Sequence, residues 1–491
     1  MALRIRIPAP SPLIAASLVI VAPCAAGAQQ PLTLEQAIEM ARAGGPAART
    51  ARAARDASRY RNQAFRSGLL PQLSLGGVVP TYNYNRSIIP VLQPDGSTLF
   101  RPQQQTNAML NLELSQKLPF TGGDLFVSSA LARLKVSGAQ SLESWSSAPV
   151  TIGVRQDIFR PNVAAWDRRE QGAIAERNEG LYLETMEDIA LRTTDLFFDV
   201  YGARVALDNA VTNAAVNDTL YRLNTGRFEV GKIGENDLLQ SELALLRART
   251  TLEGARLEYD RSTAALRLGV ALPAGTPVDV AVTRSVPEFE VDTARAVTAA
   301  VRNRALVSDV EWQEVQARRR VTEAKLATGI GATVQASFGL NATAPAASLV
   351  YSNLLEARQF SLSLQVPLMQ WGAHREGVQA AEADRERVET QTRATVEEAA
   401  HEARFAALDL SQARRDVALR AKADTVAGKR FEVAYNRYVI GRITIDNLYI
   451  AQTEKDQVLT QFVEALRSYW RAYYLLRRLT LFDFEAGRPI Q

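Results

Sequence analysis

The chain has 491 residues, 47% apolar and 22% charged, with a formal charge of +4, 2 histidines and a single cysteine. This is too apolar for a disordered chain and long enough for several folded units. The lone Cys24 lies in an N-terminal segment that reads as removable, so disulfide, thiolate and zinc-cluster chemistry are excluded from the mature protein.

Residues 1–28 read as a secretory signal. Arg4 and Arg6 precede the apolar run Leu13 to Ala22, and Ala26-Gly27-Ala28 supplies the small residues of a cleavage site. The run is about half of the roughly 20 residues that a membrane span needs, which argues against an anchor.

The first repeat is expected over 29–270. A helix starts it, within "LEQAIEMARAGGPAARTARA". From Ser67 to Asn85 no residue is charged, and prolines and glycines forbid a membrane helix there. Strands are expected near 70–82 and 106–118, with a further hairpin near 125–137 and 149–159 after the turn "PFTGGD". Leu110, Leu112 and Leu114 alternate with Asn111, Glu113 and Ser115, the period-two pattern of a barrel strand with one polar face. Tyr82, Tyr84, Trp145 and Tyr351 are expected at the membrane interface, where aromatic rings sit at headgroup level.

A long helix follows from about Val163 to Tyr221. Its apolar positions step by three and four, through Phe197 and Val200 to Arg204, Val211, Asp218 and Tyr221, and the same seam recurs from Leu238 to Leu266. Between the two runs lies "TGRFEVGKIGENDLLQ". Gly226, Gly231 and Lys232 have the spacing of a phosphate loop. Ile233 stands where the magnesium-holding hydroxyl should be, and a helix rather than a strand precedes. The segment therefore reads as the tip of a helical hairpin, near 226–237, where glycine serves a reversal with positive φ.

A linker, 271–291, with several prolines leads into a second repeat at 292–491. Leu326 to Leu355 again carries no charge. Strands are expected over about 331–368: Val334, Ala336, Phe338 and Leu340 face one way against Thr333, Gln335, Ser337 and Asn341, and Phe360, Leu362 and Leu364 oppose Ser361, Ser363 and Gln365. Seams return from Val396 to Val417 and from Leu448 to Leu479. "VGKIGENDLLQSE" is echoed by "IGRITIDNLYIAQTE" at an offset of 210, which pairs Phe228 with Tyr438, Gly231 with Gly441 and Lys232 with Arg442, and a second tip is expected near 436–446. The basic run "ARRRVTEAK", 317–325, reads as a solvated helix face, so no nucleic-acid partner is expected.

Four to six strands cannot close a barrel when the smallest need about 8, and an open edge in lipid leaves backbone groups unpaired. Copies must therefore associate. Three would give about 12 strands, or about 18 with the extra hairpin.

The opening "PLTLEQAIEMA", the segments "SGLLPQLSL" and "SLQVPLMQWGAHREGVQAAEAD", and the two glycine tips, in this order and duplicated, resemble the TolC-like outer-membrane efflux channels over nearly the whole mature chain. The resemblance implies a mainly α fold with a transmembrane β-barrel: a trimer with a shared antiparallel barrel in the outer membrane and a coiled-coil tunnel across the periplasm. It implies a passive exit duct of a tripartite efflux or type I secretion system, partnered by a periplasmic adaptor and an inner-membrane pump. Carried over, Phe228, Asp237, Tyr438, Arg442 and Asp446 belong to the gate at the tip, and Val230, Gly231, Ile233, Ile440, Gly441 and Thr444 to turns that meet the adaptor. Two positions depart from the family's pattern: Arg442 follows Gly441 directly, with Ile443 in the matching place, and Asp446 comes one residue early.

No enzyme is expected, and no cofactor or metal. His374 and His401 have no metal-ligand spacing, and no nucleophile elbow is present. A periplasmic coiled-coil adaptor or scaffold without a pore stands as the alternative; it would have no barrel.

Overall fold

The computed structural model describes residues 31–81, 87–138, 141–327 and 329–490. The proposed signal, Tyr82 and Tyr84 lie outside them. The first half runs α1 (Leu34–Gly44), α2 (Pro46–Gly68), β1 (Gln72–Thr81), β2 (Ser87–Leu92), β3 (Thr98–Leu118), β4 (Gly123–Gly138), β5 (Leu142–Ile158), α3 (Val163–Glu229) and α4 (Glu235–Gly269). The second runs α5 (Thr293–Asn303), α6 (Ala305–Ala327), β6 (Gly331–Ala344), β7 (Leu355–Gln365), α7 (Ala373–Val439) and α8 (Ile445–Thr480). A short ribbon, β8 (Phe482–Asp483) with β9 (Arg488–Pro489), ends the chain. Helix lengths are 11, 23, 67 and 35 residues in the first half and 11, 23, 67 and 36 in the second.

Local chemistry sets the breaks. Thr33 and Gln36 form a reciprocal capping box at the start of α1, and the Asp292 carboxylate accepts from Ala294 N–H to start α5. The single helix expected near residue 34 is in fact two, α1 and α2. A side chain at Gly45 would lie 2.4 Å from the Ala41 carbonyl oxygen, and Pro46 takes the first turn of α2, where its missing N–H costs nothing.

At 1.5 Å per residue, α3 and α7 are each about 100 Å long. The seam on α3 follows the expected positions through Ala190, Thr193, Phe197 and Val200. Beyond them the buried row shifts by one residue to Ala203, Ala210, Asn217, Leu220 and Asn224, while Val211 is exposed. The re-phasing is a single extra three-residue step, Val200 to Ala203, after which the row keeps seven-residue steps through Ala210, Asn217 and Asn224.

Next to the sheet the helices lie in the order α2, α3, α6, α7; toward the far end the order is α4, α3, α8, α7. Where the two sets meet, α1, α5 and residues 278–291 close over a hub. Phe197, Phe198, Leu266, Phe462, Leu466, Tyr469, Tyr473 and Tyr474 fill its core. Glu187, almost wholly buried, binds Arg42 at 2.6 Å and Arg477 at 3.1 Å, tying α1, α3 and α8 together.

The sheet is antiparallel in the order β1-β3-β4-β5-β6-β7, with β2 pairing the outer part of β3 beyond β1. The hairpin expected near 125–159 is thus part of the sheet, inserted between β3 and β6. Register places one apolar row of each main strand on a common face. Leu73 is opposite Leu114, Leu114 opposite Val127, Val127 opposite Ile152, Ile152 opposite Phe338, and Ala336 opposite Phe360. The other face carries Glu113, Ser115, Ser128, Thr151, Arg155, Gln335, Ser337, Ser361 and Ser363. Within one chain the sheet is open, with β1 and β7 as its edges.

Candidate functional site

Two hairpin tips lie at the end of the molecule farthest from the sheet, and both are built the same way. Helix α3 ends at Glu229, with Val230 as its C-cap. Gly231, at φ 65°, donates from N–H to the Phe228 carbonyl at 2.9 Å, and Lys232 N–H donates to the Arg227 carbonyl at 2.8 Å. At the end of α7, Gly441 has φ 76°, its N–H donates to the Tyr438 carbonyl at 2.9 Å, and Arg442 N–H donates to the Arg437 carbonyl at 2.8 Å. These are paired Schellman motifs, in which a left-handed glycine lets the last carbonyls of the helix find donors. Gly226, by contrast, is an ordinary residue within α3, so the phosphate-loop spacing has no loop beneath it.

The expected gate residues divide. Tyr438 is buried among Leu220, Ile445 and Leu448, and its hydroxyl donates to the buried Asn224 Oδ1 at 2.7 Å. Phe228, its counterpart, is 40% exposed. Asp237 and Asp446 lie in the first turns of α4 and α8, where a carboxylate faces the positive end of the helix dipole. Asp446 accepts from Gln240 Nε2 at 2.7 Å. Arg442 is exposed, and among the described residues of its own chain it pairs with neither acid. Val230 and Ile440 project from the turns at 67% and 64% exposure, Gly231, Gly441 and Thr444 are exposed beside them, and Ile233 is half-buried.

Two residues not anticipated join the tips. Arg227 stacks its guanidinium over the Tyr438 ring, 5.2 Å from the centroid, and donates to the Tyr438 and Val439 carbonyls at 3.3 and 3.0 Å. It thereby caps the C-terminal end of α7 with a charge supplied by α3. Asn224 receives the tyrosine hydroxyl. The repeat carried a signal for the arginine: at an offset of 210, Arg227 matches Arg437, each immediately before the aromatic residue.

At the outer end of the sheet, Trp145 Nε1 donates to Glu143 at 3.3 Å, Arg133 binds the same carboxylate at 2.9 Å, and the Arg133 guanidinium lies over the indole at 5.3 Å. Tyr351 is exposed in the β6–β7 connection. The outward face of the sheet leaves Leu75, Phe360 and Leu364 at 71%, 71% and 64% exposure, whereas the hub buries residues of the same kind completely.

The basic run at 317–325 is internally paired. Arg319 binds Asp167, Glu170 and Glu323, which hold it firmly protonated, and Lys325 binds Glu382. His401 is exposed on α7 and His374 half-buried at its start. Among the described residues no cluster of His, Cys, Asp and Glu could hold a metal ion, and no helix is long and apolar enough to cross a membrane.

No family model matches the chain, and no curated protein matches it in sequence. Solved structures match it in fold. The CmeC outer membrane channel of Campylobacter jejuni is similar over 93% of this chain and 86% of that one, at 15% identity and a TM-score of 0.67. The outer membrane protein VceC of Vibrio cholerae is similar over 93% and 97%, at 13% identity and a TM-score of 0.64. The MtrE outer membrane channel of Neisseria gonorrhoeae, in its open state, is similar over 93% and 90%, at 12% identity and a TM-score of 0.61. The chain has the fold of these outer-membrane channels, as the sequence resemblance implies.

Proposed function

We propose that the protein is the trimeric outer-membrane exit duct of a tripartite efflux or type I secretion system. Substrate enters at the helical tip and leaves through a barrel shared among copies, with the helices in the periplasm and the energy supplied by an inner-membrane pump. The observation that carries this reading is the sheet's inverted character. One face carries an apolar band exposed across all six main strands, the other is mostly polar, and both edges are open. In water such a band is an aggregation surface; in lipid it is the required exterior of a barrel.

The edges say how copies would join. β1, α2 and α4 lie on one side of the chain, β7 and α7 on the other. α4 exposes Leu239, Leu243 and Leu246, and α7 exposes Leu419, Val426 and Val433 at seven-residue intervals. Each row is half of a coiled-coil seam awaiting its partner. Unlike edges that meet head to tail close into a ring, and a ring abolishes the open strands. The two tandem halves, 29–270 and 292–491 joined by the linker 271–291, are supported by their matched helix lengths and paired tips. The segment 1–28 serves as the export signal.

In this reading the three pairs of tips converge to form the gate. Arg442, which pairs with neither acid among the described residues of its own chain, reaches Asp237 or Asp446 of a neighbour; Phe228 packs across the subunit boundary; and the adaptor grips the exposed Val230 and Ile440 turns. A pore-free adaptor or scaffold would leave the leucine band facing water. Fractionation and reconstitution decide between them. The duct is an SDS-resistant, heat-modifiable outer-membrane oligomer that conducts in planar bilayers, and a soluble or inner-membrane chain without conductance refutes the proposal.

A further inference from the structure

We infer that the β4–β5 hairpin widens the barrel, so that each copy contributes six strands and three copies close an 18-stranded wall whose bore matches the helical tunnel below it. This rests on the channel reading above and adds the size of its exit.

The first support is register. β3 and β4 pair without interruption from Gln103 opposite Gly138 to Leu118 opposite Gly123, and β5 pairs β4 on one side and β6 on the other. The hairpin is therefore a full member of the sheet. Its strands have 16 and 17 residues, against the roughly 9–11 that a tilted membrane strand needs.

The second is chemistry. Leu125, Val127 and Leu131 of β4 and Val150, Ile152 and Val154 of β5 extend the outward apolar band, while Asp124, Ser128, Thr151 and Arg155 face inward. On the inward face a side chain at Gly153 would come within 2.3 Å of the Phe126 ring, so glycine there seats the neighbouring strand's aromatic group. The register shift between Ser128 and Ala130 faces Pro149, which has no N–H to give to a ladder. A hairpin held off the barrel would expose this band to water.

The third is geometry. The hairpin leaves β3 at Leu118 and returns to α3 at Val163, both at the helical end, where Asn162 Nδ2 donates to the Pro119 carbonyl at 2.9 Å. Its insertion therefore changes the direction of no other strand. Strands about 4.8 Å apart and tilted by about 40° take up about 38 Å of wall when there are six of them, but only about 25 Å when there are four. The four helices beneath, α2, α3, α6 and α7, at about 9 Å spacing, take up about 36 Å. Six strands fit the base that carries them. The barrel's backbone diameter becomes about 36 Å instead of the about 24 Å of a 12-stranded wall, and size selection falls to the tip.

The test uses the full mature chain in nanodiscs, imaged by electron cryomicroscopy, together with a variant lacking residues 119–160. The full chain is expected to show 18 strands with β4 and β5 in the wall. The deletion joins β3 to α3 at one end of the sheet and is expected to give a 12-stranded wall. From the outer side, the largest neutral polymer that lowers conductance should fall by about one third in diameter. A ring of 12 strands in the full chain, with the hairpin outside, overturns the inference while leaving the channel reading intact. So does an unchanged polymer limit in a conducting deletion variant. A full chain that forms no ring overturns both.

Discussion

The sheet and the hub use the same residues in opposite ways. In the hub Phe197, Leu466 and Tyr469 are sealed inside, and the one buried carboxylate, Glu187, is held between two arginines. In the sheet Leu75, Leu362 and Phe360 stand exposed on one face, and serines and glutamines occupy the other. A core that excludes water and, in the proposed barrel, a wall that would face lipid obey one rule, that apolar surface leaves water, applied to two different surroundings.

The comparison can be broken at either end. The largest effect is expected in the hub: Glu187→Ala leaves Arg42 and Arg477 without their shared anion and should cost about 3–5 kcal/mol, read as a lower unfolding temperature of the helical part. Next is a pair of substitutions on adjacent positions of β7. Leu362→Arg, facing out, should cost about 2–4 kcal/mol per copy and abolish the outer-membrane oligomer, while Ser361→Arg, facing in, should leave assembly intact and alter ion selectivity. Equal loss in both would show that the two faces are not distinct.

A smaller effect sharpens the contrast within the tips. Tyr438→Phe removes the hydroxyl that binds Asn224 and should cost about 1 kcal/mol in thermal stability, while Phe228→Tyr should cost almost nothing. Replacing Arg442 by Ala should raise bilayer conductance; an unchanged conductance would remove it from the gate. The hub should also weaken in alkali. Burial pushes the Tyr469 and Tyr474 phenols up to about 12, whereas in the unfolded chain they ionise near 10. The unfolded state then holds fewer protons, so stability present below pH 10 is lost progressively between about pH 10 and 12. Unfolding followed across that window measures it.

Much of this architecture can be read from residues alone. The alternation at 334–340 and 360–364 put the apolar residues on one shared face, as the register shows, because strand period is a matter of geometry, and Gly231 and Gly441 announced reversals because few other residues accept their φ. What escaped depended on tertiary distance. The seam moved from Arg204 to Ala203 through one extra three-residue step after Val200, which a uniform alternation of threes and fours does not foresee. Nothing in the sequence singled out Glu187, because the two arginines that surround it lie 145 and 290 residues away. Arg227 gave its signal only when the halves were aligned, since its acceptors lie on α7. The pairing expected of Arg442 is absent within one chain, which leaves it for a neighbour in the proposed ring.

The central claim is that the open sheet becomes a lipid-facing barrel only when copies join edge to edge. Cysteines placed on β1 and β7, at Leu75 and Leu362, ask this directly in isolated outer membranes. The account predicts that a short bifunctional crosslinker converts the doubly substituted chain into covalent trimers, while either single variant remains monomeric after boiling. Chains that stay uncrosslinked, in a fraction where the protein is folded, would contradict it.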